Sequence, residues 1–296
     1  MKAKRKKPEI QSQGSGTLYV VSTPLGNLED ITLRALRVLE GVDVIAAESV
    51  QHTRGLCQHY GIKTRLTRYN QHNRKARTPE LLNRLKSGVD IALVTNAGTP
   101  GVSDPGGFLI SQALDRNIRV SPIPGPCAVT AGLSVSGLRG DGFLFVGFLS
   151  KRSSKRRKEL ETLVSEERTM VFFEAPHRLR SMLTDIRGIL GDRQIVLLRE
   201  LTKMFEEVKR GSVGSILEAI RKDKVRGEFT VVVTGKEKGE RGHSLDEKTR
   251  RRMERLLKEN KMGVKEIARQ LSEETGLVYR DLYKACLSLK RAMQPS

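Results

Sequence analysis

Thr95-Asn96-Ala97-Gly98-Thr99-Pro100-Gly101-Val102-Ser103-Asp104-Pro105-Gly106-Gly107 is the stretch on which the fold reading turns. It follows an apolar, β-prone run, Asp90 to Thr95, and precedes a helical pattern near Phe108–Arg116. Six Gly and Pro within thirteen residues expose main-chain N–H and C=O groups and let a ligand approach the backbone closely. Open α/β sheets collect their ligands beyond the C-terminal ends of strands, so a loop of this composition directly after a strand reads as a ligand loop.

Three further turns have the same placement. Ser22-Thr23-Pro24-Leu25-Gly26-Asn27-Leu28 follows the strand-like run Leu18–Ser22, and Phe172-Phe173-Glu174-Ala175-Pro176-His177-Arg178 closes the run Thr169–Phe173. Pro122-Ile123-Pro124-Gly125-Pro126-Cys127-Ala128 is a stiff connector after a strand at Arg119–Pro122. Taken singly, each could be a tight loop without function. The chain contains neither GxxxxGKS/T nor GxGxxG, which removes the P-loop and dinucleotide readings.

Outward from these turns, strands at Val42–Ala47, Phe143–Phe148, Gln194–Arg199 and Phe229–Val233 alternate with helical patterns. The helices are placed at Ile31–Leu39, Leu56–Tyr60, Pro79–Leu85, Ala128–Val135, Ser154–Ser165 and His177–Ile189. Such alternation predicts an α/β protein with mixed, mainly parallel sheets. The expected organisation is a disordered basic tail (1–16), an N-terminal α/β lobe (17–123), a C-terminal α/β lobe (124–236), a charged linker (237–243) and a basic helical extension (244–296). From Arg241 onward, 14 Lys and Arg face 8 Asp and Glu, so the extension is either a nucleic-acid reader or a dimerisation cap.

Charge narrows the class of partner. Lys and Arg number 54 against 34 Asp and Glu, a net +20, with a pI near 10.1. An excess of this size attracts polyanions and makes association salt-dependent. Aromatic residues are only 4% and Trp is absent, so phosphate contacts and shape, rather than aromatic stacking, are expected to dominate recognition. Three cysteines without a CxxC pair fit a reducing compartment. No apolar run has the length of a membrane span or a signal peptide. A cytoplasmic protein with no membrane association is expected. No His/Asp/Glu cluster has metal-ligand spacing, and no metal is expected.

The four turns, in this order, resemble those of the tetrapyrrole (corrin/porphyrin) methylase superfamily. More narrowly, Ser22-Thr23-Pro24 and Glu174-Ala175-Pro176-His177-Arg178, with Ala46-Ala47-Glu48, Arg199-Glu200-Leu201-Thr202-Lys203 and Gly227-Glu228, are similar to the bacterial 16S ribosomal RNA cytidine-2′-O-methyltransferases of that superfamily. The resemblance runs from about residue 17 to 236, and the helical tail with Tyr283-Lys284 resembles that group's C-terminal extension. It implies two unequal α/β lobes holding S-adenosyl-L-methionine between them, a homodimer, and 16S rRNA in the 30S subunit as partner. The reaction implied is 2′-O-methylation of a decoding-centre cytidine. Cofactor positions carried over are Pro24, Leu25, Gly98, Thr99, Pro100, Val102, Ser103, Cys127, Ala128, Phe173, Leu201 and Glu228.

Transfer from an activated sulfonium needs alignment and a group to accept the hydroxyl proton. Glu48, Asp104, Glu174, His177, Glu200 and Lys203 are candidates; Glu48 and Glu200 lead because each directly follows a buried strand, and Lys203 joins them as a catalytic candidate. Arg178, Arg199 and His177 are expected to bind substrate, the arginines at phosphates. The sequence departs from the group at two places. Ser49-Val50-Gln51 stands where Asp-Thr-Arg is usual, and Asn96 where Asp is usual. Two alternatives stay open: a tetrapyrrole C-methyltransferase, which the charge disfavours, and a non-catalytic ribosome-binding factor on the same fold, which these departures support.

Overall fold

A computed structural model describes residues 14–220, 225–236, 247–259, 262–275 and 279–292. The expected tail over 1–13 and the linker at 237–243 lie outside the described residues. The chain divides into two units, one ending at Gly235 and one beginning at Lys236.

The first unit opens with β1 (Leu18–Val21), α1 (Leu33–Gly41), β2 (Val44–Ala47), α2 (Val50–Tyr60), β3 (Arg65–Arg68), α3 (Arg74–Lys86), β4 (Ile91–Val94), α4 (Gly106–Leu114) and β5 (Val120–Ile123). These strands form a wholly parallel sheet in the order β3-β2-β4-β1-β5. β2 and β4 are buried at every position, as parallel strands covered on both faces should be. Tyr19, Ile45 and Val94 pack on one face with Ala35 and Leu39 of α1, while Ile91, Leu93 and Ala46 pack on the other with Leu81 and Leu85 of α3. Truncating a fully buried residue such as Leu93 to Ala should cost about 2–5 kcal/mol. Gly16 belongs to this lobe rather than to a tail: its amide donates to the Leu85 carbonyl at 2.7 Å.

The second sheet is built from β6 (Phe143–Gly147), β7 (Thr169–Glu174), β8 (Gln194–Arg199), β9 (Glu207–Ser212) and β10 (Phe229–Val233), with helices α5 (Ala128–Ser136), α6 (Ser153–Glu161), α7 (Pro176–Leu190) and α8 (Val213–Ala219). Its order is β6-β7-β10-β8-β9. β6 and β7 are parallel, whereas β10 runs antiparallel to β7 and β8, and β9 to β8. The α/β fold with mixed, mainly parallel sheets is therefore observed, with the antiparallel pairings confined to the second lobe. Arg156 of α6 is buried against Asp185 of α7, its Nε donating to Oδ2 at 2.7 Å. Losing one partner of such a pair should cost about 3–5 kcal/mol.

Three elements escape the sequence pattern. β3 and β9 are edge strands with mostly half-buried, charged positions, and α8 is only seven residues. The helix expected from Leu56 begins at Val50, because Ser49 Oγ accepts from the His52 amide at 3.4 Å and caps it. The second unit holds α9 (Glu247–Glu259), α10 (Val264–Thr275) and α11 (Tyr279–Ala292), whose own core contains Met253, Leu256, Ile267, Leu271, Leu282 and Cys286. The helical extension is thus observed, with Arg250, Arg251 and Arg255 exposed.

Candidate active site

The order of the parallel sheet decides where a ligand can sit. β1 connects onward through α1 to β2 on one side, while its neighbour β4 connects through α4 to β5 on the other. Loops leaving adjacent strands in opposite directions open a crevice beyond their C-terminal ends. The loops after β1 and β4 are the first two turns singled out in the sequence.

These loops are tied to each other. Thr23 and Gly98 exchange two main-chain hydrogen bonds, each 2.9 Å, and Thr23 Oγ1 donates to the Thr95 carbonyl at 3.1 Å. The Ser22 and Thr99 hydroxyls are 2.9 Å apart, and Thr99 Oγ1 donates to the Pro126 carbonyl at 3.2 Å, bringing in the connector. Gly98 holds φ +75, and a Cβ there would meet Leu25 Cδ2 at 3.3 Å, so the close approach excludes larger residues.

The second lobe closes the other side. β6, β7 and β8 end, and β10 begins, along one edge of its sheet. The cavity between the lobes has a volume of about 400 Å³, within the roughly 300–1,000 Å³ of small-molecule sites. Of the expected cofactor positions, Leu25, Gly98, Thr99, Val102, Ser103, Cys127, Ala128, Phe173, Leu201 and Glu228 line it. Pro24 and Pro100 do not; both are buried and shape their turns. The lining residues that the sequence did not single out include Phe148 and Thr230. Gly147, a glycine inside an apolar strand, was the available signal for Phe148, since such glycines mark bulges.

The catalytic candidates separate. Glu48 lines the cavity and accepts the Asn96 amide on Oε2 at 3.2 Å. Asp104 lines it too, and burial, reinforced by the Glu48 charge and opposed by a hydrogen bond from Thr95, pushes its carboxyl up to about 7. Glu200 and Lys203 are not on the cavity wall. Lys203 Nζ donates to Glu200 Oε1 and Glu228 Oε2, each at 2.9 Å, and Glu200 Oε1 also accepts the Glu228 amide at 2.9 Å. Burial raises the Glu200 carboxyl, but the bonds from Lys203 and Glu228 outweigh it and leave it below its ordinary value. Burial likewise lowers Lys203, and its two carboxylate partners outweigh that and hold it above. A Cβ on Gly26 would collide with Lys203 Cγ, and Asn27 N donates to Thr202 Oγ1 at 3.2 Å. This network clasps the second lobe onto the first turn.

The substrate candidates also lie off the wall. Arg178 is nearly buried; its Nη2 donates to the Leu149 and Ser150 carbonyls at 2.7 and 3.0 Å and lies 3.3 Å from Glu174 Oε2. Arg199 Nε donates to the Arg226 carbonyl at 2.9 Å, and Nη1 is 3.5 Å from Glu207. His177 is exposed in the first turn of α7. Ser49, Val50 and Gln51 do not line the cavity, so among the unusual positions only Asn96 does.

Non-glycine residues with positive φ gather here: Ser103, Glu200 and Thr202, at 64°, 51° and 64°. Such conformations cost about 1–3 kcal/mol each and concentrate at functional sites. The apolar walls of Leu25, Val102, Phe173 and Leu201 suit a nucleoside. Asn96 Oδ1, buried and without a hydrogen-bond partner among the described residues, is an acceptor awaiting a donor. The site fits an adenosine-bearing cofactor.

The fold and cavity define a two-lobed α/β protein with a cleft suited to a nucleoside cofactor, and comparison with known proteins gives the class. The family model described as Tetrapyrrole (Corrin/Porphyrin) Methylases matches residues 17–217. The solved uroporphyrin-III-C-methyltransferase from Thermus thermophilus shares the fold, with a TM-score of 0.54 and 22% identity over 73% of this chain and 94% of that one. A Synechocystis protein named "Ribosomal RNA small subunit methyltransferase I" is 44% identical over 276 residues, covering 93% of this chain and 99% of its own. A Thermotoga maritima protein of the same name is 46% identical over 222 residues, 75% of this chain and 100% of its own. The chain belongs to the tetrapyrrole methylase family and, within it, to the group of relatives that carry this name. It is an enzyme, an S-adenosylmethionine-dependent methyltransferase.

Proposed function

We propose that the protein transfers a methyl group from S-adenosylmethionine to a cytidine ribose 2′-oxygen of 16S rRNA in the decoding centre of the 30S subunit. On this reading it acts in the cytoplasm as a homodimer. Relatives that match almost end to end are named for small-subunit ribosomal RNA, and the net charge of +20 suits a polyanion. Among the described residues, no helix is long and apolar enough to cross a membrane.

The observation that carries the chemistry is the pairing of Asp104 with Glu48 on the wall of the inter-lobe cavity. When bound, S-adenosylmethionine supplies an electrophilic methyl group: its C–S bond breaks as the new O–C bond forms. Asp104 takes the hydroxyl proton, because a base whose proton affinity lies near neutrality is the most effective at neutral pH. Glu48, fixed by the Asn96 amide, supplies the neighbouring charge that helps raise that affinity. Leu25, Val102, Phe173 and Leu201, which line the cavity with Gly98, would hold the adenosine. Asn96 Oδ1, buried and unpaired among the described residues, would accept a hydrogen bond from the bound cofactor. Glu200, Lys203 and Glu228 keep the lobes closed, and Arg178 and Arg199 brace loops.

The test is transfer of labelled methyl from S-adenosylmethionine to purified, unmodified 30S subunits, followed by mapping of the RNA. Label on one cytidine ribose is expected. Donor binding without transfer to that RNA would overturn the substrate assignment.

A further inference from the structure

We infer that Phe148 is the stacking platform for the target nucleobase; this rests on the RNA reading above and deepens it. Phe148 lines the cavity yet remains 54% exposed. Its ring packs edge-on to Phe173, with centroids 5.7 Å apart, and Phe173 in turn packs on Phe145 at 5.0 Å. An aromatic side chain braced on one edge and open to a ligand cavity leaves a face for another ring.

Its placement is built rather than incidental. The β6–β7 register slips between Phe145 and Gly147, and Gly147 adopts φ +73. A Cβ there would meet Ser103 Oγ of the glycine-rich loop at 3.0 Å. The bulge therefore needs glycine, and it re-aims the residue that follows. The loop beyond is pinned from both sides. Arg178 holds the carbonyls of Leu149 and Ser150, and the Ser150 amide donates to Glu159 Oε2 at 2.8 Å. Arg178 thereby acts as a positioning residue for Phe148.

Charge on the same segment fits a nucleic-acid strand. Lys151, Arg152, Lys155, Arg157 and Lys158 are all exposed on the loop and on α6. They can hold phosphates beside a base drawn out of its stack toward the reacting ribose. Low aromatic content thus does not exclude stacking: one ring, correctly placed, suffices for one nucleotide.

The test compares Phe148→Ala and Phe148→Trp with wild type, reading kcat/KM on unmodified 30S subunits and, separately, affinity for S-adenosylhomocysteine by calorimetry. Phe148 is half exposed, so its removal should leave the fold intact. Phe148→Ala should lose about 5- to 150-fold in kcat/KM, the range expected for one base–aromatic stack. Its S-adenosylhomocysteine affinity should stay unchanged, and Phe148→Trp should recover most of the activity. Unchanged activity in Phe148→Ala would overturn the inference while leaving the RNA reading standing. A parallel loss of S-adenosylhomocysteine affinity would instead assign the ring to the cofactor wall and overturn it. A wild-type enzyme inactive on 30S subunits would remove the RNA reading and this inference together.

Discussion

The main-chain amide of Asn96 donates to Glu48 Oε2 across 3.2 Å. Because the backbone makes this bond, it does not depend on which side chain stands at position 96. What the side chain changes is the charge of the cavity. With Asn, Glu48 and Asp104 are the carboxylates that the first lobe contributes to the cavity wall; with Asp there would be a third.

That difference should appear in the pH profile. Glu48 is one cause of the upward shift of Asp104 to about 7. Glu48→Gln removes the like charge, so the acid limb of kcat against pH should move to lower pH. Asn96→Asp adds one, and the limb should move up, each by about one unit if the charges lie within contact range. Profiles that coincide with wild type in both variants would exclude Asp104 as the group titrating in the rate.

Asp104 should also cost stability at neutral pH. Its folded carboxyl binds the proton more tightly than the ordinary value of 3.8, so the native state holds more protons than the unfolded chain between 3.8 and about 7. Stability from this group therefore falls as pH rises through that window. Asp104→Asn should raise Tm more at pH 8 than at pH 4 while lowering kcat by about 10²–10⁴-fold, the usual contribution of a general base. A Tm difference independent of pH would contradict the shift.

Gly98→Val should abolish useful donor binding. The variant forces a β-branched residue into φ +75 and against Leu25 Cδ2. The conformation alone costs about 1–2 kcal/mol, which for a protein of this size lowers Tm by several degrees. Calorimetry with S-adenosylhomocysteine on the folded variant is the decisive measurement. Wild-type affinity would remove the glycine-rich loop from the cofactor site.

Much of this site is legible in the sequence, because its loops follow buried strands and carry Gly and Pro where the backbone turns. Ten of the expected cofactor positions reach the cavity for that reason. The parts that are not legible depend on pairing across distance. Asp104 and Glu48 are far apart in the chain, and nothing local marks them as neighbours. Glu200 follows a buried strand just as Glu48 does, but a positive φ and the Lys203 ammonium hold it off the wall. Arg178 carries the chemistry of a phosphate ligand, and only the fold reveals that two carbonyls already occupy it. Edge strands β3 and β9 escape because solvent on one side removes the apolar pattern.

Lys203→Met separates a clasp from a catalyst. The network joins Lys203 to both Glu200 and Glu228, and Glu228 lines the cavity. Loss of the ammonium should weaken S-adenosylhomocysteine binding about 3- to 30-fold, the scale of one or two charged hydrogen bonds partly open to solvent. Lys203→Arg should restore part of it. A fall in kcat with donor affinity intact would return Lys203 to the chemistry.

Removing residues 244–296 should leave the methyltransferase unit folded and able to bind its donor, while weakening its association with RNA. The described part of the first unit has its own cores, and α9, α10 and α11 have theirs. The Thermotoga relative is spanned in full by 222 aligned residues, fewer than this chain's 296, so the name it shares does not require the full length. The deleted segment carries a basic surplus, and each phosphate contact it makes should add about 0.7–0.9 to the slope of log K against log salt. Truncation should therefore flatten that slope and reduce affinity for 30S subunits, with S-adenosylhomocysteine affinity unchanged. An unchanged slope, together with a shift to monomer in sedimentation, would make the helices an assembly element instead.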